Sequence, residues 1–312
     1  FEKAKNEIDF PFVVRPANQG SSIGVSILKE NDLWKFCSAV EDALFIKNIT
    51  RELWQKKNEE EKHDFINEIA ELKGGIGSPF KTSTSEIIYH PADVKIFLDK
   101  HFAEHDDVIL ESFDSENEVL VEEFIDGKEF SCIVIRDEDE NIIALPPTEI
   151  VKGKEVFDYR SKYLPGLSRK ITPINLPDEK IQAIRKDCEK LFSFFNFNVY
   201  ARIDGFIKDD GTIFLNDPNT TSGMLPSSFF FHQAAEIGLN PSQFLTFIIR
   251  QSLAERIRTG FRVLKFQNLL SKLDDEIENQ KTQSSEKIRV AVILGGYSSE
   301  RHISVESGRN IY

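Results

Sequence analysis

Hydrophobic and polar positions alternate along Ala201-Arg202-Ile203-Asp204 within the strand-like run Tyr200-Ala201-Arg202-Ile203-Asp204-Gly205-Phe206, and a Lys-Asp-Asp-Gly turn over Lys208–Gly211 leads to a second strand-like run, Leu215-Asn216-Asp217-Pro218-Asn219-Thr220. A period of two predicts paired strands whose successive side chains point to opposite faces. Arg202 and Asp204 then share one face of the first strand, and Asp217 and Asn219 share one face of the second. A hairpin of this kind gathers a guanidinium, two carboxylates and an amide into one patch. Hard oxygen donors suit Mg²⁺. The same pattern also describes a surface hairpin with a solvated polar face, and alternation alone does not choose between them.

The remaining periodicities predict a helix end over Phe1–Ile8 and a buried strand over Phe12–Pro16, stopped by a proline that cannot donate to a ladder. A Gly/Ser loop follows over Ala17–Val25, rich in backbone N–H groups and hydroxyls suited to phosphate oxygens, and the chain re-enters a strand through Leu28. Leu33, Phe36, Cys37, Val40 and Leu44 predict an amphipathic helix over 30–46. Residues 51–73 are highly charged with a thin apolar stripe (Leu53, Phe65, Ile66, Ile69, Leu72). They read as one or two surface helices, followed by a Gly/Ser-rich loop from Gly74 to Ser85.

Strand character resumes over Val108–Phe113 and Val119–Ile125. Asp126-Gly127 then reads as a tight hairpin turn into an antiparallel meander over Glu129–Arg136 and Ile142–Ile150. The polar stretch Gly153–Lys170 reads as a functional loop. Helices are expected from Asp178, over Met224–Ile237 and over Pro241–Arg258, the last opening on a first-turn proline. Residues 261–286 turn polar and resemble a linker. Beyond them Lys287–Gly296 reads as a strand ending in glycines, the opening of a Rossmann-like strand–loop–helix unit.

Composition narrows the function classes. The chain has 312 residues, 40% of them hydrophobic and 29% charged, which is long enough for two or three domains with large cores. A formal net charge of −13 argues against a nucleic-acid surface, which needs a basic patch. No apolar run reaches the length of a membrane span, and no signal sequence opens the chain. Cys37, Cys132 and Cys188 match no metal spacing and read as buried reduced thiols of a cytoplasmic protein.

Five stretches in order carry a family resemblance. They are Arg15 to Gly24 with its Gly-Ser-Ser loop, Val119-Leu120-Val121-Glu122-Glu123-Phe124-Ile125-Asp126-Gly127-Lys128-Glu129, Tyr159 to Tyr163, Arg202-Ile203-Asp204, and Asp217-Pro218-Asn219-Thr220 with Gly223. The chain resembles the D-alanine–D-alanine ligase family of the ATP-grasp superfamily over residues 8–35 and 107–258. The resemblance implies an α+β class with the ATP-grasp fold, mixed and largely antiparallel sheets flanked by helices, without its own amino-terminal Rossmann-like domain. It implies a partial central domain over 1–150 with an inserted helical segment at 47–106, a carboxy-terminal domain over 151–260, and the linker at 261–286. Residues 287–312, with Gly295-Gly296 and Glu300, resemble the start of a second ligase module, so the chain is expected to be a fragment spanning two modules.

The resemblance also implies a reaction. ATP phosphorylates the carboxylate of one D-alanine, and the amine of a second attacks the acyl phosphate to give a dipeptide for peptidoglycan precursor synthesis. Phosphoryl transfer rests on positioning and charge neutralisation, so Asp204, Asp217 and Asn219 are expected to hold Mg²⁺, with Mn²⁺ as a substitute. Arg15 and Lys162 reach phosphate oxygens beneath the Ser21-Ser22 loop. Glu122, Glu123, Phe124 and Ile125 form the adenine side with Phe206, and Glu129 accepts from the ribose. Arg202, Ser22 and the backbone of Gly223 stabilise developing negative charge. Tyr163, Ser228 and Phe229 face the amino-acid substrate, and Glu300 matches the residue that meets the first D-alanine's amine. Expected partners are ATP, D-alanine and the second module, with a homodimer as a compatible assembly and neither nucleic acid nor membrane.

Two departures weigh against full activity. The family usually carries lysine where Arg15 stands, and a planar guanidinium is not interchangeable with an ammonium. It usually carries glutamate where Asp217 stands, so this carboxylate is one methylene shorter. A degenerate module that binds nucleotide without catalysis is therefore a competing expectation, as is a ligase with D-lactate or D-serine as acceptor.

Overall fold

The structure is a computed structural model that describes residues 1–20, 22–71, 75–83, 85–152, 168–224 and 228–283. Helices and strands are numbered in chain order over these residues. They divide into two packed units, one over Phe1–Ile125 and one taking up the described residues from Asp126 onward.

In the first unit, α1 (Glu2–Glu7) precedes β1 (Phe12–Pro16), β2 (Ser26–Leu28) and α2 (Leu33–Leu44). Asp32 caps α2 by accepting from the backbone N–H groups of Trp34 and Lys35, satisfying donors the first turn leaves open. β1 lies between β2 and β7 (Val119–Glu123), antiparallel to both, and Phe12, Val14 and Leu28 bury against Ala39 and Ala43 of α2.

A second sheet, ordered β3-β6-β4-β5, joins β3 (Ile46–Thr50), β6 (Asp107–Ser112), β4 (Phe80–Thr82) and β5 (Ile87–Ile88). It packs with α3 (Arg51–Gln55), α4 (Glu59–Ala70) and α5 (Pro91–His101) around Trp54, Ile66, Ile69, Ile76, Phe80, Val94 and Leu98. Residues 47–106 are therefore more than an inserted helical segment. They supply three of this sheet's four strands, and Trp54, outside the expected apolar stripe, is 2% exposed and donates its indole N–H to Asp99 at 2.8 Å.

The second unit is built on a six-stranded antiparallel sheet. Its order is β11-β10-β8-β12-β13, with β9 also paired to β8. The strands are β8 (Lys128–Arg136), β9 (Ile142–Ala144), β10 (Thr148–Lys152), β11 (Ser168–Ile171), β12 (Tyr200–Ile207) and β13 (Ile213–Asn219). Alternation along β8 divides two cores. Phe130, Cys132 and Val134 pack on Ile184, Cys188 and Phe192 of α6 (Asp178–Phe194). On the other face Ile133 and Ile135 meet Phe230 and Ala234 of α7 (Phe229–Glu236) and Phe244 and Ile248 of α8 (Pro241–Arg258). Cys132 and Cys188 are buried and reduced as expected, whereas Cys37 is exposed.

Two expectations change here. Asp126-Gly127 does not close a hairpin, because β7 pairs with β1 and β8 pairs with β12, β10 and β9 in a different sheet. Gly127 serves a close approach instead: a Cβ there would lie 2.8 Å from the carbonyl oxygen of Ile207. The expected linker is α9 (Val263–Gln283), packed along α8. Val263, Phe266, Leu270, Leu273 and Ile277 recur at helical spacing and are half-buried, a stripe that the polar composition hides. Arg250 of α8 ties this helix down, with Nε 2.7 Å from Asp274 and Nη1 2.6 Å from Glu138.

Candidate functional site

β12 and β13 form the hairpin the alternation predicts, closed by a turn in which Gly211 N donates to Lys208 O and Lys208 N to Thr212 O. Arg202 stands opposite Asn219 and Asp204 opposite Asp217. Residues directly opposite in an antiparallel pair project to the same face, so the four expected side chains meet in one patch. A bulge after Asp204 places Asn216 as the extra residue, since Gly205 then pairs with Leu215. Gly205 is required there: a Cβ would lie 2.4 Å from the carbonyl oxygen of Phe214 and 2.8 Å from the Phe130 ring.

Arg202 grips Asp204 with both arms of its fork, Nε to Oδ1 at 3.1 Å and Nη2 to Oδ2 at 2.8 Å. Burial pushes the Asp204 carboxyl above its ordinary range. The Asp217 charge pushes the same way, while the Arg202 charge and the Ser131 hydroxyl pull it back. Asp217 is exposed, and Asn219 Nδ2 donates to its backbone carbonyl at 3.0 Å. A buried carboxyl raised in part by a facing carboxylate is relieved by a cation between them, so these oxygens fit a hard divalent ion. Among the described residues no group of three or more His, Cys, Asp and Glu is placed to hold a metal ion.

The same sheet face continues onto β8. Ser131 pairs with Asp204, and Glu129 with Phe206, placing both expected nucleotide residues on this face. Ser131 was missed in the sequence although it follows Glu129 by two, the spacing that marks a shared face. Lys170 of β11 was missed as well. It pairs with Ile150, its ammonium sits 4.6 Å over the Phe229 ring, and burial lowers its pKa. Near the start of α7 the Ser228 hydroxyl donates to the Gly223 carbonyl at 2.6 Å and accepts from Phe230 N at 3.3 Å. Gly223, Ser228 and Phe229 are thus gathered at one helix end.

In the first unit Arg15 and Glu122 form a bidentate pair, Nε to Oε2 at 2.9 Å and Nη2 to Oε1 at 3.0 Å. Their strands set this up, because Glu122 pairs with Val13 and so lies diagonal to Arg15 on one face. Glu123 follows in β7, and Phe124 N donates to Pro11 O at 3.1 Å. Ser22 is exposed in a turn with a left-handed φ of 59°. Ser21, Lys162, Tyr163 and Glu300 lie outside the described residues, as does the expected second-module start at 287–312.

With the hairpin's geometry in hand, comparison with known proteins places it in a family. Residues 96–250 match the profile described as the D-ala D-ala ligase C-terminus. This stretch belongs to the D-alanine–D-alanine ligase family. It holds all of β8 and the hairpin of β12 and β13. The chain is similar to the D-alanine–D-alanine ligase of Porphyromonas gingivalis, at 35% identity over 147 residues, covering 47% of this chain and 44% of that one. It is also similar to the enzyme of the same name from Halothermothrix orenii, at 29% identity, covering 54% and 46%. The chain thus spans a little under half the length of these two relatives. Among solved structures, the VanG D-Ala:D-Ser ligase of Enterococcus faecalis has a TM-score of 0.49 at 20% identity, covering 80% of this chain and 51% of that one. The α+β class with antiparallel sheets holds as expected. Among the described residues no helix is long and apolar enough to cross a membrane.

Proposed function

We propose that this chain carries the ATP- and metal-handling part of a ligase that joins two D-alanines through an acyl phosphate. The observation that supports it is the hairpin, where Asp204 faces Asp217 and Arg202 faces Asn219 within the family-matched stretch. In this reading Asp204, Asp217 and Asn219 hold Mg²⁺, whose chemistry when bound is neutralisation of phosphate charge. Arg202, fixed by its fork on Asp204, presents its remaining N–H groups and its charge to the transferring phosphoryl group. Glu129 accepts from the ribose and Phe206 packs on the nucleotide. Arg15, Glu122, Glu123, Phe124, Ile125, Ser21, Ser22 and Lys162 are assigned to the nucleotide from the family pattern. Gly223, Ser228, Phe229, Tyr163 and Glu300 are assigned to the amino acids.

The test is nucleotide binding by the protein with and without Mg²⁺, followed by its D-alanine-dependent phosphate release. Binding that needs the divalent ion and is lost in Asp204→Asn supports the reading. Cation-independent binding unaffected by that change overturns it.

One observation favours a second reading, that of a module binding nucleotide without turnover. The Arg15 fork is already committed to Glu122, which takes both carboxylate oxygens. Nucleotide binding with no phosphate release under any of D-alanine, D-lactate or D-serine decides for it, and release with one of the latter two names a different acceptor.

A further inference from the structure

Gln233 is wholly buried on α7, between Phe230, Phe231 and Ala234, where an apolar side chain would pack as well. Its amide makes three bonds. Oε1 accepts from Ile133 N at 2.8 Å, and Nε2 donates to Ser131 O at 2.8 Å and to Thr148 Oγ1 at 3.1 Å. Thr148 Oγ1 in turn meets Thr172 Oγ1 at 2.7 Å.

The place of these bonds is specific. β8 changes partners here: Phe130 and Ser131 pair with β10, whereas Val134 to Arg136 pair with β9. At the changeover the Gln233 amide stands in for a peptide group, supplying the donor and acceptor that Ser131 O and Ile133 N need in a buried setting. On the opposite edge of β8, Ser131 and Ile133 pair with Asp204 and Arg202. The residue therefore grips the two positions that back the Arg202–Asp204 fork. Five residues before it on the chain is Ser228, at the start of the same helix.

We propose that Gln233 is a positioning residue that fixes the Ser228–Phe229 end of α7 relative to the Asp204 face of the sheet. The proposal rests on the ligase reading, in which one end carries the acceptor and the other the phosphoryl group. Joining two bound substrates is sensitive to shifts of about 1 Å in their separation. A rigid amide spanning helix and strand is a suitable spacer, since every one of its polar atoms is held.

The experiment measures amide hydrogen exchange across Phe229–Glu236 with and without Mg²⁺ and a non-hydrolysable ATP analogue, alongside analogue affinity, in the wild-type chain, Gln233→Met and Gln233→Glu. In the wild type the bound analogue is expected to slow exchange in this helix about tenfold. Gln233→Met keeps analogue affinity within about threefold but loses that transmitted protection. Gln233→Glu loses it at pH 8, where the ionised carboxylate cannot donate to Ser131 O. It regains it as the pH falls and the protonated carboxyl donates again. A residue that merely fills the core would show no such return. Protection that persists in Gln233→Met, that is absent in the wild type although the analogue binds, or that fails to return in Gln233→Glu at low pH overturns the proposal and leaves the ligase reading standing. Failure of the wild type to bind the analogue at all overturns both.

Discussion

Asp204 and Asp217 stand directly opposite each other on neighbouring strands, one pressed into the sheet and the other open to solvent. Their division of labour follows from that contrast. The inner carboxylate is held by Arg202, and the outer one is free to rearrange around an incoming ion. Asp217→Ala is expected to weaken divalent-dependent nucleotide binding at least roughly tenfold, about 1.4 kcal/mol. Asp217→Glu, one methylene longer and so better able to reach a shared ion, is expected to match or exceed the wild type. Calorimetric titration with Mn²⁺ and nucleotide checks both.

The acidity of Asp204 gives a pH test. Burial first, and then Asp217, raise its folded pKa above the unfolded value. Between the two values the folded protein holds a proton that the unfolded chain has released. That stabilising contribution is complete below the unfolded pKa and is lost as pH rises through the raised folded value. Denaturant midpoints of metal-free protein should show this loss as pH is raised from acid toward neutral. Asp204→Asn should remove that component of the slope.

Arg15→Lys separates stability from ligand binding. The Arg15–Glu122 pair is partly exposed, with side-chain accessibilities of 26% and 40%. Its loss should cost under about 1 kcal/mol in thermal or denaturant unfolding. An ammonium on a flexible stem is released for phosphate, so nucleotide affinity is expected to rise. An unchanged affinity would remove Arg15 from the nucleotide residues.

Trp54→Ala tests whether residues 47–106 are a core or an ornament. Truncating this buried indole should cost about 3–5 kcal/mol, read as a lower denaturant midpoint. Trp54→Phe loses only the bond to Asp99 and part of the packing, and should cost far less.

Gly205→Ala tests the bulge. A methyl group 2.4 Å from the Phe214 carbonyl oxygen must push β12 and β13 apart. A loss of about 2 kcal/mol is expected, together with weakened Mn²⁺ binding, since the same displacement separates Asp204 from Asp217.

The hairpin and its four polar residues were legible because alternation is local and the turn between the strands is short. Pro241–Arg258 was legible for a similar reason, its first-turn proline being a local signal, and the structure adds an Asn240–Gln243 capping box. What stayed hidden depends on distant pairing. Nothing near Asp126-Gly127 says that the strands on either side leave for different sheets. Trp54 sits in a charged run and shows its burial only once Asp99 and Phe65 are beside it. Gln233 lies one hundred residues from the strand it holds, so its role has no local signature. α9 is hidden in another way, since its apolar period is present but outweighed by its polar composition.

The extra residue at Asn216 has one more effect. Leu215 and Asp217 are two apart, which in an unbroken strand would turn both toward the same side. Leu215 packs into the α6 core, yet Asp217 lies level with Asp204 on the opposite side of the sheet. The bulge shifts the phase of the strand between them. One short segment can thus answer to two masters, the interior and the reactive surface, without compromise in either. Removing a single residue there would leave every side chain's chemistry intact and still turn Asp217 and Asn219 inward.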